Sequence, residues 1–147
     1  MTALAVALTL AAGLSGAVQL AVMGRLGERI GAVPALAFAA CVSAAVALAA
    51  LLLVRQSFSG LADATRQPKW MWIGGVAGAF IVFTVTFVAP RIGAFGTTGV
   101  FLAAQLTMAV LIDRFGLFGL NRIGLGWGRV AGLVLLAAGA ALTLHRA

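Results

Sequence analysis

Five apolar stretches, each near the length of one membrane crossing, constrain this chain more than any other feature. A bilayer core about 30 Å thick needs about 20 apolar residues in helix. The stretches run from about Thr2 to Met23, Val33 to Val54, Trp70 to Ala89, Gly93 to Ile112 and Gly128 to Leu144. The breaks carry Gly, Pro and charge, as helix ends should. They are Arg25-Leu-Gly-Glu-Arg29, Arg55 to Lys69, Pro90-Arg91, and Asp113 to Trp127. The pattern predicts an all-α integral membrane bundle of five transmembrane helices, a single transmembrane domain over residues 1–147. Composition agrees: 63% of the 147 residues are hydrophobic and 9% are charged. Such a chain has too little polar surface to cover a water-facing exterior. Soluble enzymes, disulfide scaffolds and disordered tails are excluded.

The first stretch is expected to be a retained helix rather than a signal peptide. No positive residue precedes it, and it is too long for a signal h-region. The gap between the third and fourth stretches is so short that they must form a tight antiparallel hairpin, turned at Pro90.

The formal net charge of +7 invites a nucleic-acid reading. Nucleic-acid binding needs a contiguous basic face, whereas these cations are scattered: Arg25, Arg29, Arg55, Arg66, Lys69, Arg91, Arg114, Arg122, Arg129 and Arg146. Each falls between apolar stretches or at the chain end, as snorkelling topology anchors do. Five spans put the termini on opposite sides of the membrane. Arg55, Arg66, Lys69, Arg114, Arg122 and Arg129 then share the amino-terminal side, against Arg25, Arg29, Arg91 and Arg146 on the other. The positive-inside rule gives the amino terminus a slight cytoplasmic preference, and insertion both ways stays open. Trp70, Trp72 and Trp127 lie on the amino-terminal side as an interfacial belt.

Helices in lipid associate through close packing, so small residues mark contact faces. Gly74 and Gly78 have the small-xxx-small spacing in the third helix, while Gly128, Gly132, Gly139 and Thr143 in the fifth and Ala37, Cys41, Ala45 and Ala49 in the second each lie close to one stripe. Phe80, Phe83 and Phe87 form a stripe read as packing or lipid-facing. The single Cys41 gives neither a disulfide within one chain nor a thiol metal cluster.

No carboxylate lies deep in a span: Glu28 and Asp63 are in loops, and Asp113 closes the fourth helix. Proton-coupled pumps commonly use an intramembrane Asp, Glu or His, and His145 lies in the tail. The remaining polar groups are neutral. Gln19 and Gln105 sit within spans, with Cys41 and Ser43 near mid-membrane and Thr84, Thr86, Thr97 and Thr98 in the half opposite the amino terminus. An unpaired amide in lipid is costly, so each Gln is expected to face the bundle or a cavity. Two readings stand: interhelical hydrogen bonds that fix the bundle, or a polar lining for a substrate path. Gly93-Ala-Phe-Gly-Thr-Thr-Gly99 permits a broken helix start that could attract an anion, with Arg91 just outside; its bland reading is a glycine-rich hairpin.

Soluble catalytic motifs are absent. There is no Walker A loop, Gly124-Leu-Gly-Trp-Gly128 is not a dinucleotide fingerprint, and no Ser-His-Asp set assembles around His145. The chain is expected not to be an enzyme and to carry no cofactor or metal.

Several groups of residues fall into a family pattern. Gln19-Leu-Ala-Val-Met-Gly-Arg25-Leu-Gly27 closes the first helix, and Trp70-Met-Trp-Ile-Gly74-Gly75-Val-Ala-Gly78 opens the third. Ala89-Pro90-Arg91-Ile-Gly93 closes the third. Gln105 is followed by Ile112-Asp113-Arg-Phe115-Gly116, and Gly132-Leu-Val-Leu-Leu-Ala-Ala-Gly139 lies in the last helix. Together they resemble the YdcZ-like family of small bacterial inner-membrane proteins, placed in the drug/metabolite transporter superfamily. The resemblance covers nearly the whole chain. It implies a five-helix half-transporter of the inner membrane, found singly, in adjacent gene pairs or fused into ten-helix chains. By that likeness Gln19 and Gln105 match the family's polar helix positions, and Asp113, Phe115 and Gly116 match its helix-four exit motif. One departure is Met23, where the family often has Asn. The small multidrug resistance proteins, more distant relatives, carry a first-helix Glu that is absent here, so their proton coupling does not carry over.

The resulting expectation is a transporter subunit that moves a small solute by alternating access as a dimer, antiparallel by preference. Its partners are the bilayer, an unspecified small molecule, and a second copy or a paralogue; nucleic acid is not among them. The path would run near Gln19, Gln105, Ser43, Thr84, Thr97 and Thr98. The alternatives are a non-transporting accessory membrane protein and a subunit of a flippase for lipid-linked substrates.

Overall fold

The computed structural model describes residues 2–55, 57–124 and 126–144; His145 and Arg146 lie outside them. Among the described residues there is helix and loop only, so the chain is all-α. Helix α1 covers Thr2–Ile30, α2 Ala32–Arg55, α3 Ser59–Thr65, α4 Ile73–Phe115 and α5 Trp127–Leu144. Single 3₁₀ turns at Lys69–Trp72 and Leu117–Gly119 precede α4 and follow it. Helices α1, α2 and α4, the last with the turn that leads into it, are each long and apolar enough to cross a membrane, and α5 is a shorter apolar helix.

The helix ends differ from those predicted. Helix α1 does not stop at Met23 but continues through Arg25-Leu-Gly-Glu-Arg29 to Ile30, and α2 starts after the single residue Gly31. The charged pair that looked like a break is helical surface: Arg25 Nη1 donates to Glu28 Oε2 at 2.6 Å, one turn along. At about 1.5 Å per residue α1 measures roughly 43 Å, so its last turns lie beyond a 30 Å hydrocarbon core and can carry charge. The stretch between Arg55 and Lys69, read as loop, contains the short helix α3. Trp70 and Trp72 stand in the 3₁₀ turn, ahead of the helix they were expected to open.

The predicted turn at Pro90 is also corrected. Pro90 and Arg91 are helical, and the backbone leaves helical geometry at Gly93 (φ 75°, ψ 160°). An unbroken helix of 43 residues would extend about 65 Å, twice the hydrocarbon thickness. The break divides it into 73–92 and 94–115, and each part suffices for one crossing. A residue with a side chain would resist this φ; glycine accepts it.

The chain forms two compact units, one of Val18–Phe87 and one of Met1–Ala17 with Val88–Ala147. In the first, Leu20, Met23, Ala35, Val85 and Thr86 are buried. Gly27 of α1 and Thr86 of α4 meet there: a Cβ on Gly27 would lie 2.5 Å from Thr86 Cγ2 and 3.1 Å from its carbonyl oxygen. In the second unit Ala89, Thr97 and Ala140 are buried, and Gly99 of α4 faces Thr143 of α5, whose Oγ1 would be 3.2 Å from a Cβ there.

Most large apolar side chains are exposed, including Leu4, Leu8, Leu14 and Val18 along α1 and Phe38, Val42, Val46 and Leu53 along α2. An exterior of this kind suits lipid or another protein chain, not water.

Candidate functional site

Polar residues inside an apolar helix carry the information, because lipid offers them no partner. The two amides expected to face the bundle lie elsewhere: Gln19 and Gln105 are both exposed on the outside of the single chain. Among the described residues neither side-chain amide has a hydrogen-bond partner. Ser43 is exposed on α2, while Thr84 and Thr98 are half-buried.

The hydroxyls of Thr86, Thr97 and Thr98 in α4 are held within their own helix. Thr86 Oγ1 donates to the Val82 carbonyl at 2.6 Å, Thr97 Oγ1 to Gly93 at 2.8 Å and Thr98 Oγ1 to Ala94 at 2.8 Å. This bonding back to the preceding turn lets a hydroxyl reside in an apolar helix. Thr86 is 1% exposed and Thr97 is 4% exposed, so neither reaches the surface. Thr97 also shows how the Gly93 break is tolerated, since its hydroxyl satisfies the Gly93 carbonyl at the break. Arg91 is helical and exposed, between Thr86 and the Gly93 break that precedes Thr97 and Thr98.

The exit from α4 is the most organised polar region. Asp113 accepts twice from the returning chain: its backbone carbonyl takes the Ile123 N–H at 2.9 Å, and its Oδ2 takes Arg129 Nη1 at 3.1 Å. Gly116 is left-handed at φ 63°, and a Cβ there would lie 2.8 Å from Arg122 Cγ and 3.0 Å from the Leu120 carbonyl oxygen. Phe118 follows with φ 58°, an uncommon conformation for a bulky residue. Phe115 is exposed. The Asp113-Arg-Phe115-Gly116 run is therefore a helix-stop device: the acid pins the returning chain and the glycine turns it. Beside the ion pair an open-sided cleft of about 270 Å³ runs along α4 and α5, lined by Leu106, Ala109, Val110, Asp113, Arg129, Gly132, Leu133 and Leu136. Sequence reading singled out Asp113 and Gly132 separately and missed Arg129 as their neighbour; the cue was the opposite charge one connection later.

The remaining residues expected to matter are not gathered with these. Among the described residues Arg25 pairs with Glu28 alone, with 70% of its side chain exposed. At Gly74, Gly78, Gly132 and Gly139 no described atom would lie within 4 Å of an added Cβ, apart from neighbouring backbone. The close approaches occur at Gly27 and Gly99 instead. Phe83 and Phe87 stack with centroids 6.1 Å apart, with Phe80 exposed beyond them. Cys41 is exposed within α2. Among the described residues no three His, Cys, Asp or Glu side chains come together as a metal site would need.

Apolar helices long enough for the bilayer, an exterior of large aliphatic residues and neutral intramembrane polar groups define an α-helical integral membrane protein. Within that class the chain belongs to the YdcZ family, whose model, described as "Putative inner membrane exporter, YdcZ", matches residues 4–142. No curated protein and no solved structure matches the chain. Met23, where the family resemblance leads one to expect Asn, is buried at 6% exposure, so the departure places an apolar side chain at a buried position.

Proposed function

We propose that this chain is one subunit of an inner-membrane exporter that works as a dimer and moves a small solute by alternating access. The observation that carries the reading is the position of Gln19 and Gln105. Both lie in membrane-spanning sequence, exposed and without a hydrogen-bond partner among the described residues. An amide facing hydrocarbon costs free energy, so each needs a partner chain or a hydrated path. A second copy set against these faces supplies both at once, with a polar path between copies. The family match over residues 4–142 supports export as the purpose of such a path. Membership of the drug/metabolite transporter superfamily, suggested by the sequence motifs, belongs to the same proposal.

The chemistry along the path would be neutral. Thr98 has its hydroxyl hydrogen engaged by Ala94, so it offers a solute acceptor lone pairs only. The Gln amides offer both donors and acceptors. Ser43 and Thr84 add hydroxyls, and Thr97 is too buried to contribute without movement. Catalysis is not part of this proposal, and no cofactor is required by it.

The purified full chain in liposomes, loaded with a panel of labelled small metabolites and cationic dyes, tests the reading. Export of at least one solute, together with a dimer by cross-linking in the bilayer, is the expected result. A folded monomer with no flux across the panel would overturn it and favour an accessory role.

A further inference from the structure

We propose that the cleft at the α4–α5 junction is a lipid site, taking one acyl chain of an anionic glycerophospholipid with the phosphate against Arg129. The site stands apart from the exporter reading, because neither Gln19 nor Gln105 lines it. Its walls are Leu106, Ala109 and Val110 from α4 and Gly132, Leu133 and Leu136 from α5, all apolar, with charge only at the end held by Asp113 and Arg129. From residue 113 back to residue 106 the wall descends about 10 Å along the helix. That is the layout of an amphiphile site: charge at the headgroup level and hydrocarbon below.

Charge fixes the class of headgroup. Between residues 113 and 129 the chain carries Arg114, Arg122 and Arg129 against the single carboxylate of Asp113. Arg122 packs over Gly116, about one turn past Asp113. Arg129 engages Asp113 through Nη1, and its guanidinium retains other N–H groups for a phosphate oxygen. Basic pockets between membrane helices bind anionic headgroups on this principle. Trp127 opens α5 and is 89% exposed, which marks the level as the interface.

Size fixes the tail. The volume of about 270 Å³ holds roughly nine groups of water size at about 30 Å³ each, and a methylene is of similar bulk. A drug-sized solute usually occupies a larger and more enclosed cavity, whereas an acyl chain fits a narrow cleft open along its side.

The test uses the full-length protein in mild detergent, titrated with micelles containing phosphatidylglycerol or phosphatidylcholine, with bound lipid counted by native mass spectrometry. Both lipids offer a phosphate oxygen, but the choline cation cancels the net negative charge of the phosphatidylcholine headgroup. Beside Arg114, Arg122 and Arg129, phosphatidylglycerol should therefore bind about tenfold more tightly. Arg129→Gln should remove that preference. Asp113→Asn should preserve or raise it, because the guanidinium is released to the phosphate. Gly132→Leu fills the cleft from its wall, and nothing lies within 4 Å of a Cβ at that position, so the variant can fold and should lose the bound lipid. Circular dichroism of each variant separates lost binding from lost folding. Equal binding of the two lipids, undiminished binding by folded Gly132→Leu, or a parallel loss in Asp113→Asn would overturn the proposal. A lipid-free dimer whose interface covers the cleft would overturn it as well.

Discussion

Gly27 and Thr86 approach so closely that a methyl group on the glycine would sit 2.5 Å from Thr86 Cγ2. The threonine cannot turn aside, because its hydroxyl is bonded to the Val82 carbonyl at 2.6 Å and its side chain is 1% exposed. The next neighbour is a backbone oxygen at 3.1 Å, which has no rotamer to change. Gly27→Ala should gain about 1 kcal/mol of helix propensity and lose roughly 1–3 kcal/mol to overpacking. The net effect is destabilising, read as a lower denaturation midpoint in detergent. Adding Thr86→Ser removes Cγ2 but keeps the hydroxyl, and should restore part of the loss. A double-mutant cycle with coupling below about 0.5 kcal/mol would mean the two helices are not in this contact.

Within the α4 exit motif the glycine should matter more for stability than the acid. The Asp113–Arg129 side chains are 34% and 44% exposed, and pairs of that kind contribute about 0–1 kcal/mol. Asp113→Asn should therefore shift stability by less than about 1 kcal/mol, and the shift should shrink in high salt. Gly116→Ala meets a left-handed φ of 63° and the Leu120 carbonyl oxygen at 3.0 Å. A cost of about 1–3 kcal/mol follows. Thermal unfolding of both variants side by side gives the ranking, and the reverse order would show that the ion pair organises the connection.

The helices were legible because hydropathy is additive along the chain: five apolar stretches appear as helical backbone, with α4 holding two of them on either side of Gly93. Helix ends were not. Charge at Arg25, Glu28 and Arg29 reads as a loop when the helix is assumed to stop where hydrocarbon stops, yet a helix runs on into the headgroups without penalty. The sequence points to Pro90 as the turn because proline breaks helices by losing its N–H and by steric clash. In an apolar helix the φ value, not the missing N–H, placed the break. Contact glycines were the hardest to read: Gly27 lies in a charged run, while the regularly spaced Gly74 and Gly78 meet no neighbour among the described residues. Spacing marks where a helix can be approached closely; it does not say which helix approaches.

Gln105→Leu separates a transport amide from a structural one. The amide is exposed and bonds to no described group, so within one chain its loss removes nothing. The variant should insert, keep its helical content and unfold at the same midpoint as the parent or slightly above, since leucine suits lipid better. Flux in liposomes should fall at least tenfold if the amide lines the path. A variant that transports normally removes Gln105 from the path, and one that fails to fold assigns it to helix association.

The break at Gly93 should lie at the membrane surface. Segments 73–92 and 94–115 each suit one crossing, and a junction between two crossings must reach water. In a Cys41→Ala background, Ala94→Cys is an exposed position beside the break. It should react with a membrane-impermeant maleimide in intact cells or in inverted vesicles, according to the side it faces. Leu136→Cys, also exposed but in the middle of α5, should stay unlabelled in both preparations until the membrane is dissolved, because a thiol in hydrocarbon does not ionise. Comparing the two positions distinguishes exposure to water from exposure to lipid. Protection of Ala94→Cys from both sides would place Gly93 inside the bilayer, and α4 would then be a broken helix within one crossing.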